Sequence, residues 1–138
     1  MIQRYKRPDK KNAESIVQSA KKDMEYTLSL DINENSTVTI IRNIHECFRS
    51  LGDALLISRG IEDGDHAMSI KELTKLQIKT ERPLGVLDNL RILRHNINYY
   101  GYRPKIEEAV EIVDFVKSCF GIIVKEVEKQ IKSGKYFG

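Results

Sequence analysis

The chain has 138 residues, of which 41% are apolar and 31% charged, with three prolines and no tryptophan, the profile of one compact domain. A domain of this size buries about two-thirds of its unfolded surface and needs no disulfide or metal staple. Cys47 and Cys119 lie far apart in apolar periodic stretches, without Cys or His at ligand spacing. They read as buried thiols of a reducing cytoplasm, which removes zinc-finger and secreted disulfide classes. The start, Met1 to Pro8, has no apolar core of a signal peptide, and no apolar run approaches the roughly 18–20 residues of a membrane span, so a cytoplasmic location is expected. The net charge of +3 is concentrated at the start, where Arg4, Lys6, Arg7, Lys10 and Lys11 face only Asp9. Residues 1–8 are read as a basic arm, 9–132 as one helical domain and 133–138 as a tail.

Helical periodicity runs through the chain. From about Lys10, Val17, Ala20, Met24 and Leu28 mark one helix face. Turn formers from Asp31 to Ser36 follow, and Ile41, Ile44, Phe48, Leu51 and Leu55 predict a second, longer helix from about Ser36 to Ser58. Ser69 with Glu72 reads as a capping box before a short third helix bearing Leu73 and Leu76. Pro83 can open a fourth, with Val86, Leu90, Leu93, Ile97 and Tyr100 on its apolar row and Gly101 as its αL terminator. After Pro104, Ala109, Val113, Val116, Phe120, Ile123 and Val127 predict the longest helix, in which Gly121 suggests a close helix crossing. With no period-two segment longer than four residues, the fold predicted is all-α: an antiparallel up-and-down bundle of four main helices plus a short extra one.

Several chemistries are not supported by the spacing. A di-iron bundle centre needs Glu-x-x-His on two helices; His45-Glu46 are adjacent, and Asp63-x-x-His66 falls in a glycine-containing loop. There is no phosphate-binding glycine loop and no nucleophile with a partner histidine at a recognisable spacing, so neither a metal nor another cofactor is expected. His45 reads as a hydrogen-bonded histidine at the core edge and His66 as a solvated loop residue.

The unusual segment runs from Leu90 to Tyr102, a helix end with three basic residues, two amides and three phenols. Arg91, Arg94 and Asn98 follow one another at helical spacing beside the apolar row. Arginine forks grip phosphate bidentately and tyrosine rings offer stacking surfaces, which suits RNA or a nucleotide. The same strip also reads as a solvated face pairing with glutamates of the last helix. Both readings stand at this level.

With those residues in view, the chain resembles the HEPN superfamily over roughly residues 10–130: small helical bundles whose signature is an Arg followed, after four to six positions, by His. The matching arginine is Arg94, followed by His95 and Asn96, and Tyr99 stands where nuclease-type members carry His. Counting instead from Arg91 leaves His95 one residue short. The resemblance implies a homodimer that pairs the motif helices around a polar cleft, and a nucleotidyltransferase partner of the toxin–antitoxin kind able to modify Tyr99, Tyr100 or Tyr102. Taken with the arginine strip, it makes Arg91, Arg94, His95, Asn96, Asn98 and Tyr102 the candidates for RNA or nucleotide phosphate, and its motif positions make Arg94 and Tyr99 the catalytic candidates. A phenol has a pKa near 10 against about 6.5 for imidazole, so the expectation is a phosphate-binding domain with little or no catalysis. One alternative is an active metal-independent ribonuclease toxin, with Tyr99, His95 or His66 moving the proton. The other is a helical interaction module without a nucleotide site.

Overall fold

A computed structural model describes residues 3–63 and 67–133 and shows an all-α protein. Strand β1 (Gln3–Tyr5) precedes α1 (Lys10–Leu28) and α2 (Thr37–Ser58); strand β2 (Ile61–Asp63) leads to α3 (Ala67–Thr74), α4 (Val86–Tyr100) and α5 (Ile106–Ser133). Asp9 caps α1 by accepting from the Asn12 N–H at 2.9 Å, and Gly101 ends α4 at φ +65°, as glycine-terminated helices do.

α2 is the hub of the bundle. Thirteen of its 22 residues are buried, and it packs against α1, α3, α4 and α5. Phe48 at its centre meets Phe115 of α5 at 6.2 Å and Phe120 edge-on at 5.7 Å. Cys47 and Cys119 are buried free thiols, each pushed up to about 12 by desolvation. No helix among the described residues is long and apolar enough to cross a membrane.

Four details depart from the sequence expectations. β1 pairs antiparallel with β2, with Gln3 opposite Asp63 and Tyr5 opposite Ile61, and the Lys6 N–H donates to the Gly60 carbonyl. Part of the basic arm is therefore pinned to the loop after α2; three-residue strands are too short for a period-two pattern to reveal. Ser69 is not a cap. It lies inside α3, fully buried, and its hydroxyl donates to Asp53 of α2, while Glu72 binds Arg59 and Lys75. The close helix crossing falls at Gly52, where a Cβ would run into the backbone of Ser69, and not at Gly121, which is exposed with open space around it. Tyr100 is 76% exposed, whereas Leu87 is completely buried, so the buried edge of α4 is Leu87, Leu90 and Ile97. His66 lies outside the described residues, as do 134–138 of the expected tail.

Candidate functional site: the seam between α2 and α4

On α2, Arg42, Glu46, Arg49 and Asp53 recur at four, three and four residues and form a charged stripe beside the apolar one. Glu46 accepts from Arg49 at 2.8 Å, and the other arm of that guanidinium reaches Asp53 at 3.4 Å. Asp53 in turn holds Ser69, so the stripe is anchored on α3. At its other end, the Nε–H of Arg42 donates to Asn98 Oδ1 of α4 at 2.8 Å.

Arg94 approaches the middle of this stripe from α4. It is half-buried, and its charge acts on both His45 and Glu46. Burial alone would raise the Glu46 carboxyl, but its hydrogen bond from Arg49, with His45 and Arg94 nearby, holds it below its usual value. His45 is 3% exposed, and among the described residues neither ring nitrogen has a hydrogen-bond partner. Its Nδ1 lies 3.6 Å from Glu46 Oε1, beyond hydrogen-bond length. Burial, reinforced by the Arg94 charge, lowers its pKa to about 4, so the ring is neutral at physiological pH. This corrects the sequence reading of His45 as hydrogen-bonded: the imidazole is enclosed without one.

The seam is cation-rich. Among the described residues, Arg42, Arg49, Arg91 and Arg94 stand with Glu46 and Asp53 of α2 and with the half-buried Asp88, one turn before Arg91 on α4. Arg91, one turn before Arg94, is exposed and carries no hydrogen bond or ion pair among the described residues. The partner of the arginine strip is therefore α2, not the glutamates of the last helix.

The seven residues singled out from sequence do not form one cluster. Arg91, Arg94 and Asn98 share the α2 side of α4. His95 and Tyr99 are exposed on the next strip, their rings 4.6 Å apart at 37°, and Tyr100 meets His95 edge-on at 5.9 Å. Asn96 faces the other way, into a groove of about 400 Å³ lined also by Ile92, Leu93, Arg82, Glu108 and Glu111, where two carboxylates stand against one guanidinium. Tyr102 donates its hydroxyl to Glu108 of α5, a bond that raises its pKa. Tyr99, 70% exposed, does not share the enclosed position of Arg94.

The sequence reading missed Arg42, Glu46 and Arg49. The signal was present, since a charged i, i+4, i+7 row beside a buried face marks where a neighbouring helix can be met through polar groups. Comparison of the chain with protein-family models, with curated proteins and with solved structures finds no match.

Proposed function

We propose that this chain is a HEPN-like domain that holds the phosphates of RNA or of a nucleotide along the α2–α4 seam, with little or no catalysis of its own. The observation that carries the reading is the pair of guanidinium groups that α4 brings to the seam, Arg91 exposed and without a partner among the described residues and Arg94 half-buried beside a neutral histidine. Guanidinium forks in a partly dehydrated seam gain more from a phosphate than exposed lysines do, because water competes less. Weak catalysis follows from the enclosure of His45 and from the phenol at position 99, neither of which is suited to proton transfer near neutral pH. The resemblance adds a homodimer paired through α4 and a nucleotidyltransferase partner of the toxin–antitoxin type, and the free thiols of Cys47 and Cys119 suit a reducing, cytoplasmic setting.

The test is RNA binding titrated against salt. Wild-type affinity should fall as salt rises, and Arg91→Ala and Arg94→Ala should each weaken binding and flatten the salt dependence, by about 0.7 in logarithmic slope per lost contact on a single strand. Affinity unchanged in both variants refutes the proposal.

A second reading, a metal-independent ribonuclease, is favoured by one observation: the exposed imidazole of His95 lies 4.6 Å from the Tyr99 ring, beside the motif position that lacks histidine. Cleavage of RNA in EDTA, lost in both Arg94→Ala and His95→Ala with the fold intact, would establish it.

A further inference from the structure

We infer that the ligand is a single-stranded RNA, selected over a duplex because the exposed strip of α4 stacks unpaired bases while the neighbouring seam holds their phosphates. The inference rests on the phosphate-binding reading and names the class of ligand.

Tyr100 and Tyr99, at 76% and 70% exposure, are the most exposed large hydrophobic side chains among the described residues. Their hydroxyls have no hydrogen-bond partner there, in contrast to Tyr102, which is tied to Glu108. The fold does not use them for packing. His95 joins them through ring contacts at 4.6 and 5.9 Å, so three planar groups form one aromatic surface on a rigid helix, not three scattered side chains. Arg91, uncommitted, lies one turn away from His95 on the side that leads to the seam.

Phosphates lie on the outside of a nucleic acid strand and bases project to one side. A surface with guanidinium groups on one flank and aromatic faces on the next matches that two-sided shape. A duplex hides its base faces in the stack and can offer this surface only phosphate.

The experiment measures binding of a short RNA without self-complementarity, of its duplex, and of an abasic strand of equal length, together with the oligomeric state of each variant. The single strand should bind at least about tenfold more tightly than either other probe, the loss expected for one stacked base. Tyr99→Ala and Tyr100→Ala should each weaken single-strand binding by about tenfold, keep the salt slope, and leave duplex and abasic binding unchanged. Tyr99→Phe and Tyr100→Phe should bind as wild type, because stacking needs the ring and not the hydroxyl. Equal affinity for all three probes would overturn the inference. So would alanine variants that change the oligomeric state and not RNA affinity, which would make the strip a protein interface. Arginine variants that weaken binding while tyrosine variants do not would overturn the stacking role alone; no response to either set would remove the phosphate reading as well.

Discussion

α2 and α4 lie against each other, yet they are held in opposite ways. α2 is covered by four other helices and buries thirteen residues, including the glycine that lets α3 approach to backbone distance. α4 buries only Leu87, Leu90 and Ile97 of its 15 residues and leaves His95, Tyr99 and Tyr100 to solvent. Such a contrast separates stability from recognition: the hub supplies a rigid wall, and a lightly anchored helix presents side chains that packing does not need.

Substitutions can break the contrast. The largest effect is expected for Gly52→Ala, whose methyl group collides with Ser69 backbone on a neighbouring helix; we expect a loss of about 3 kcal/mol in denaturant unfolding. Gly121→Ala, in open space and in mid-helix, should instead gain roughly 0.5–1 kcal/mol. If the two glycines responded alike, the hub would not be the tightly packed element described above.

Acid should act nearly as strongly through His45. Its native pKa is lowered from 6.5 to about 4, so the unfolded chain takes up this proton at a higher pH than the folded one. The stabilisation is complete above about pH 6.5 and is lost as pH falls through 4, at most about 3 kcal/mol. Arg94 on α4 and Arg49 on α2 oppose the protonated ring, and Glu46 favours it. His45→Leu should flatten the stability profile between those pH values; an unchanged acid limb would show that other groups dominate it.

At the seam, Asn98→Ala removes the acceptor for Arg42 in an exposed setting, and a cost of about 1 kcal/mol is expected. The smallest effects belong to Tyr99→Ala and Tyr100→Ala, within about 0.5 kcal/mol in unfolding. A loss several times larger would show that these rings support the fold and would erase the distinction between hub and presenting helix.

Much of this was legible in the order of residues. Period-3.6 apolar rows placed the helices, Gly101 ended α4, and both cysteines fell among buried positions. Arg91 and Arg94 were visible as a strip, and Tyr99 as the residue standing in the motif where histidine was expected. These features depend on neighbours within a few positions along the chain, where backbone geometry alone dictates which side chains share a face. Packing decided the rest. Whether Tyr100 or Leu87 turned inward depended on how α4 is rotated against α2, and a shift of that rotation exchanges flank for core. The same contact set Arg94 near His45 and Glu46, about 50 residues distant in sequence, and left that imidazole enclosed without a partner. Which of two glycines permits a close crossing was settled by the helix that approached it, since a missing Cβ matters only where another backbone arrives.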